Sequence, residues 1–253
     1  VLARYAVMGS PITHSLSPIL HQQFAKKMGI ALAYDAILLD ELGFEQQVEA
    51  FFSAGGYGLN ITAPGKLRAF NLAEIKTSRC LKAGAANMLW VDVHQRLCAD
   101  NTDGVGFLMD LKQRVSLRGA RILCLGAGGA ARAILHVLLA EKPQSISIYN
   151  RTASRAQAWI NTVQDHRVQY VSCPRHPETY DVVINTTGLI HPNHPAFLAN
   201  QPFCYDLSYD ESGLTPFVAW ARHLGCEAVD GFGMLTQQAA EAFWVWHGVR
   251  PAL

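Results

Sequence analysis

The sequence carries little charge: Asp, Glu, Lys and Arg make up 16% of its 253 residues, and the net charge is +1. That balance gives no electrostatic case for nucleic acid or an anionic membrane as partner, since both select a basic face. No apolar run approaches the length that spans a bilayer, and there is no internal repeat or low-complexity stretch. The apolar run within residues 1–9 is too short, and too soon broken by Gly9, for a signal peptide; it reads as a first strand. The six cysteines, Cys80, Cys98, Cys124, Cys173, Cys204 and Cys226, form no C-x-x-C pair, and the ten histidines form no H-E-x-x-H. Metal ligation is therefore not expected, nor is a disulfide framework in a chain of this size. Cys98, Cys124 and Cys204 fall inside apparent strands, where a thiol packs as a small hydrophobe. The reducing cytoplasm is the expected compartment.

Half the residues are apolar, enough for a sizeable core in one large domain or two small ones. Strand-like and helix-like segments alternate throughout, which predicts an α/β fold with mainly parallel sheets. The chain is organised around residues 121–133. A short apolar strand, 121–125, runs into Gly126, Ala127, Gly128, Gly129, Ala130 and Ala131, and a periodic apolar helix follows. Gly126, Gly128 and Ala131 fall on the G-x-G-x-x-G/A spacing. The first glycine permits a tight turn, the second lets backbone approach a pyrophosphate, and the small third residue lets helix and strand pack closely. The free N–H groups at the helix start then face the phosphates. The next strand, 145–149, ends in Asn150, Arg151 and Thr152, followed by Arg155. NAD binders place an acid at this tip for the ribose hydroxyls; guanidiniums and a hydroxyl suit a 2′-phosphate instead, so the cofactor is expected to be NADP. Thr186 lies at the carboxyl end of a later strand, where ligands gather in such sheets.

Other polar clusters are more open. Ser17 before Pro18 reads as the cap of a helix running to about Met28, with Ile19, Leu20, Phe24 and Met28 inward. Ser15 and Ser17 also put two hydroxyls beside a helix start, where a carboxylate can be held. A helix is expected over residues 42–54, with Val48, Phe51 and Phe52 inward. Asn60 and Thr62 share one face of a strand end, and Lys66 follows a proline turn as either a solvated amine or a site residue. Thr102 or Asp103 reads as a helix cap. Residues 191–202 read as a loop, and residues 230–233 as a loop before a final helix that carries Gln238 near its start.

These clusters join into one pattern. The chain resembles the shikimate dehydrogenases across nearly its whole length, through Gly-Ser-Pro-Ile-Thr-His-Ser-Leu-Ser-Pro (9–18), Asn-Ile-Thr-Ala-Pro-Gly-Lys (60–66), Ala-Gly-Ala-Ala-Asn (83–87), Asp-Asn-Thr-Asp-Gly (100–104), Gly-Ala-Gly-Gly-Ala-Ala-Arg (126–132), Asn-Arg-Thr (150–152), Tyr-Asp-Leu-Ser-Tyr (205–209) and Asp-Gly-Phe-Gly-Met-Leu (230–235). The resemblance implies an N-terminal α/β substrate domain, residues 1–103 and 231–253, around a Rossmann-like NADP-binding domain, residues 104–230. It implies NADPH-linked reduction of 3-dehydroshikimate to shikimate, a step of aromatic amino-acid biosynthesis, by a monomer or homodimer. Ser15 and Ser17 then resemble the family's carboxylate binders, and Asn60, Thr62, Asn87 and Gln238 its hydroxyl binders, with Tyr209 at the substrate edge. Lys66 and Asp103 resemble its catalytic pair. Asn150, Arg151, Thr152 and Arg155 resemble its adenosine-phosphate clamp, while Leu207, Gly231 and Met234 flank the nicotinamide.

Some positions depart from the family. Gly65 stands where an aromatic residue usually precedes the lysine, Met88 where a threonine follows the asparagine, Ser10 in place of a common asparagine, and Ala99 in place of a common glycine. Thr187-Gly188-Leu189 also differs from the usual loop. None of these removes a titratable group from the expected chemistry. Two rival readings remain. A quinate/shikimate dehydrogenase of relaxed specificity using NAD is disfavoured by the Asn150-Arg151-Thr152 tip. A non-catalytic sensor of the same ligands has no need of Lys66 and Asp103.

Overall fold

The computed structural model describes residues 2–172, 179–188 and 195–253; Cys173, Leu189 and residues 191–194 lie outside the described residues. The chain divides into two compact units, Val1–Gly106 with Leu235–Leu253, and Phe107–Met234.

The first unit is built on a six-stranded sheet. Its core is parallel: β1 (Ala3–Gly9) lies between β2 (Leu32–Leu38) and β3 (Gly56–Ile61). From Tyr5 onward every residue of β1 is buried, as expected for a strand covered on both faces. Beyond β3 the direction alternates. β5 (Met88–Val91) runs antiparallel to β3 and to β6 (Leu97–Asp100), and the short β4 (Ile75–Lys76) closes the edge beside β6.

The first helix, α1 (Ser17–Met28), corrects two expectations. Its buried face is Ser17, Leu20, His21, Phe24 and Ala25, while Ile19 and Met28 are exposed. Leu20 and Phe24 fix the inward direction, and at 100° per residue Ile19 falls off that stripe whereas His21 falls on it. Nor does Ser17 cap: it is the first helical residue, Leu16 stands at the cap, and no side chain bonds there. The next helix, α2 (Phe44–Ser53), starts two residues later than expected, with Leu42 exposed and Phe44 inside; Phe52 is only partly buried. Between β3 and β5 stand two short helices, α3 (Lys66–Leu72) and α4 (Ser78–Ala83).

His21 has a measurable consequence. It is 1% exposed, neither ring nitrogen has a hydrogen-bond partner among the described residues, and its ring stacks on Tyr34 at 4.3 Å. Burial, with His247 nearby, pushes its pKa down to about 3. Unfolded, it takes a proton near pH 6.5; folded, it does not until far lower. The unfolded state therefore binds more protons, and stability falls as pH falls from about 6.5 toward 3. His247, lowered in the same direction by burial, adds to that slope. Urea melts of His21→Phe between pH 6.5 and 4 are expected to show a shallower loss of stability than the parent, and equal slopes would contradict this.

The second unit carries a wholly parallel sheet: β12 (Ala228–Val229), β11 (Phe203–Asp206), β10 (Val182–Asn185), β7 (Arg121–Leu125), β8 (Ser145–Tyr149) and β9 (Val168–Tyr170), adjacent in that order. The sequence order reverses between β7 and β10, the switch point at which such sheets bind ligands. Helix α6 (Gly129–Ala140) follows β7, α7 (Ala153–Val163) follows β8 and α8 (Pro216–His223) follows β11. The chain leaves the first unit within α5 (Asp103–Leu111) and returns within α9 (Phe232–His247). Two loop expectations need correction: residues 191–202 contain a 3-10 turn, Pro195–Leu198, and α9 begins inside residues 230–233. The five described cysteines are buried and free; Cys98, Cys124 and Cys204 sit in β6, β7 and β11. Among the described residues no helix is long and apolar enough to cross a membrane.

Candidate functional site

Strand direction gathers the polar residues of the first unit. β3 ends, β5 begins and β6 ends on one edge of the sheet, with Asn60 paired to Met88 and Met88 to Asp100. Asn60, Asn87 and Asp103, far apart along the chain, therefore emerge side by side. Lys66 opens α3 just beyond β3, and its Nζ lies 2.6 Å from Asp103 Oδ2. Lys66 is one-third exposed and Asp103 is 9% exposed at the side chain, so the amine can be reached from solvent while the acid is held inside. Asp103 stands in the first turn of α5, where the helix dipole favours its charge. Its N–H donates to Asn101 Oδ1 at 3.1 Å, and Asn101 Nδ2 donates to Ala85 O at 2.9 Å.

Asn87 is the hub. Its Nδ2 lies 2.9 Å from Asp103 Oδ1, 2.9 Å from Thr102 Oγ1 and 3.2 Å from Gln238 Oε1, and its Oδ1 accepts from Thr102 N at 2.8 Å. Three acceptors share two N–H groups, so a ligand hydroxyl that displaced one of them would cost little. Gln238 comes this close because Gly106 has no side chain: a Cβ there would lie 2.5 Å from the Gln238 backbone N. Tyr34 donates to Asn60 Oδ1 at 2.7 Å, and Asn60 Nδ2 donates to Asn87 O at 3.1 Å. The structure thus brings Lys66, Asp103, Asn87, Gln238 and Asn60 into one network. Ser15 and Ser17 share one weak bond, Ser17 N to Ser15 Oγ at 3.4 Å, and among the described residues no side-chain bond ties them or Thr62 to that network.

Two contributors escape a reading of the sequence. Thr102, fully buried, donates to Gln238 Oε1 at 3.3 Å; its signal is the unbroken polar run Asp100–Asp103, which by itself reads only as a cap. Behind it, Arg79 grips Asp100 through Nε at 2.8 Å and Glu241 through Nη1 at 2.7 Å. Gly65 is also explained. A Cβ there would fall 2.7 Å from Leu39 Cδ1 and 2.9 Å from Ile61 Cγ2, because Leu39, Ile61 and Phe44 already fill that space. Restoring an aromatic side chain, Gly65→Phe, is expected to destabilise the fold by about 1–3 kcal/mol through overpacking, readable as a lower urea midpoint.

In the second unit the glycine loop leaves β7 at the switch point. Gly126 has φ +114°, and a Cβ there would lie 2.4 Å from Thr186 Oγ1, so both strain and space demand glycine. Thr186 is held in turn by its bond to Leu125 O at 2.9 Å. A Cβ on Gly128 or Gly129 would meet nothing within 4 Å, so this chain itself does not need those glycines bare. An approaching pyrophosphate does, and with the start of α6 at hand the loop fits a dinucleotide. Asn150 ties the loop to the tip of β8: its Oδ1 accepts from Ala127 N at 3.2 Å and its Nδ2 donates to Thr152 O at 2.9 Å. Arg151, Thr152 and Arg155 stand exposed beyond it. Gly231 is pinned by its neighbour, since a Cβ would lie 2.3 Å from Leu207 O; Leu207 and Met234 pack on the same core. Asp206 accepts from Asn185 Nδ2 at 3.1 Å, Ser208 N at 3.1 Å and Thr215 Oγ1 at 2.7 Å, and burial raises its pKa against those bonds. It fixes the segment leading to Tyr209, which with Thr187 and Gly188 lines a cavity of about 130 Å³. Among the described residues no three His, Cys, Asp or Glu side chains are placed to hold a metal.

Residues 7–89 match the family model for the shikimate dehydrogenase substrate binding domain, and residues 110–194 that for shikimate / quinate 5-dehydrogenase. The shikimate dehydrogenase (NADP(+)) of Legionella pneumophila strain Corby is 47% identical over 258 residues, covering 100% of this chain and 96% of the relative. An Ael1 enzyme from Pseudomonas putida has a similar structure, with a TM-score of 0.91 and 41% identity over 99% of this chain and 95% of its own. Shikimate 5-dehydrogenase from Thermus thermophilus, solved with NADP(H) and shikimate, gives a TM-score of 0.89 and 29% identity, with 99% and 95% covered.

Proposed function

Because the chain belongs to the shikimate dehydrogenase family, we propose that it interconverts 3-dehydroshikimate and shikimate with NADP(H), using Lys66 and Asp103 as the proton-transfer pair. The observation that carries the pairing is the 2.6 Å contact between Lys66 Nζ and Asp103 Oδ2. NADPH supplies the hydride. Hydride addition to a ketone builds negative charge on its oxygen, which must be stabilised and then protonated. The Lys66 ammonium does both, attracting the charge as it develops and donating the proton. Asp103 orients the amine through the 2.6 Å contact, and Asn87 keeps Asp103 in place. Asn60, Thr62, Asn87 and Gln238 take the substrate hydroxyls, Ser15 and Ser17 its carboxylate, and Tyr209 its edge. The first unit serves as substrate domain and the second as cofactor domain, where Gly126–Ala130 and Thr186 seat the pyrophosphate side. Asn150, Arg151, Thr152 and Arg155 hold the 2′-phosphate, and Leu207, Gly231 and Met234 flank the nicotinamide. The enzyme works as a monomer or homodimer in the reducing cytoplasm, which its buried thiols, packed as small hydrophobes, support.

Nicotinamide absorbance followed with shikimate and with quinate, each with NADP and with NAD, tests the assignment. Turnover of shikimate with NADP well above the other three combinations is expected. Comparable rates with quinate and NAD would favour the relaxed-specificity enzyme, and binding without turnover a sensor. Arg151→Ala is expected to raise the KM for NADPH and to change that for NADH little, because only the former presents a dianion to the guanidinium. Equal effects on both would remove the clamp.

A further inference from the structure

We propose that Arg132, on the first turns of α6, is a further specificity-determining residue that closes on the 2′-phosphate opposite Arg155. The inference rests on the cofactor reading above and extends it to a residue outside the β8 tip. The Arg132 Cζ lies 5.2 Å from the centre of the Trp159 ring. Trp159 is buried on α7, four residues after Arg155, so the two share one face of that helix. A guanidinium resting on Trp159 therefore lies along the helix face that carries Arg155. The proximity has an electrostatic signature: burial first, and then the charge of Arg155, hold Arg132 below the usual guanidinium pKa.

Among the described residues no carboxylate pairs with either guanidinium. Arg79, Arg96, Arg121 and Arg167 each hold a carboxylate, whereas among the described residues neither Arg132, Arg151 nor Arg155 forms an ion pair. Two guanidiniums near enough to feel each other's charge repel unless an anion joins them, and a phosphate monoester, near −2 at neutral pH, accepts from both forks. Trp159 supplies what a clamp also needs: it restricts a long side chain before the ligand arrives, so less freedom is lost on binding. Packing on Trp159 as a surface cover, with no ligand, would account for the stacking but not for two cations gathered beside the phosphate-selecting tip.

Arg132→Gln, which keeps the stem and removes the charge, tests this. It is expected to lower the ratio of kcat/KM for NADP to that for NAD at least about tenfold, the factor that one hydrogen bond to a charged group carries. Inhibition by 2′-AMP should weaken by a similar factor relative to inhibition by 5′-AMP. Arg132→Lys should recover part of the ratio. An unchanged ratio, or equal losses with both cofactors and both nucleotides, would overturn the proposal. Arg151→Ala run alongside separates the two claims. If it lowers the ratio and Arg132→Gln does not, only this inference falls; if neither does, the cofactor clamp falls with it.

Discussion

Lys66→Ala is expected to lower kcat about 10²–10⁴-fold, the range for losing a positioned general acid, with a much smaller change in the KM for shikimate. The structure predicts little collateral damage. Lys66 is one-third exposed, and Asp103 keeps the Asn87 Nδ2 contact at 2.9 Å and its place at the start of α5 when the amine is gone. The amides of Asn60, Asn87 and Gln238, proposed above to take the substrate hydroxyls, are held by bonds that do not involve Lys66. Binding and chemistry should therefore separate in steady-state kinetics. Lys66→Arg divides the chemistry further: a guanidinium keeps the charge near the developing oxyanion but does not release a proton at working pH. It should recover part of the electrostatic stabilisation and little of the proton transfer. A Lys66→Ala enzyme with parental kcat would end the assignment.

How much of this is legible in the sequence depends on the range of the interactions. The glycine turn and the tip of β8 are readable because their chemistry is local: Gly126 is required by φ +114° and by Thr186 above it, and Asn150–Arg155 follow directly from one strand end. The meeting of Lys66 with Asp103 is not readable from spacing. They lie 37 residues apart, and only the antiparallel turn-back through β5 delivers both to one edge; the resemblance, not the periodicity, suggests the pair. Helix α3 is hidden for a related reason. Ala63-Pro64-Gly65 reads as a turn, and its seven helical residues are too few to show a period. On α1, Ile19 looks like core because it is apolar, yet its angular position leaves it outside while His21 is inside. Arg79 is invisible because its partners, Asp100 and Glu241, stand 21 and 162 residues away.

Arg79→Ala is expected to be the most destabilising single substitution in the first unit's polar network, costing about 3–5 kcal/mol, the usual loss when one member of a buried ion pair is removed. Asp100 is 2% exposed and Glu241 3%, so both carboxylates are left in a poorly solvated place. Burial alone would lower the Arg79 pKa, yet its bonds to Asp100 and Glu241 hold it above the ordinary guanidinium value, which marks how far the pairs outweigh desolvation. Arg250, the other partner of Glu241 at 2.9 Å, is 54% exposed at its side chain, and its removal should cost about 0–1 kcal/mol. In thermal melts this contrast becomes a fall in Tm of ~10 °C for Arg79→Ala against a small one for Arg250→Ala. The loss should also reach the chemistry. Asp100 Oδ1 accepts from Asn101 N at 2.7 Å, and Asn101 Oδ1 accepts from Asp103 N, so a loosened Asp100 frees the first turn of α5 and misaligns the acid beside Lys66. If Arg79→Ala does not fold, Arg79→Lys, with the charge but not the fork, should show a smaller drop in Tm and a reduced kcat. Equal Tm values for the Arg79 and Arg250 variants would show that this network bears neither the stability nor the alignment assigned to it.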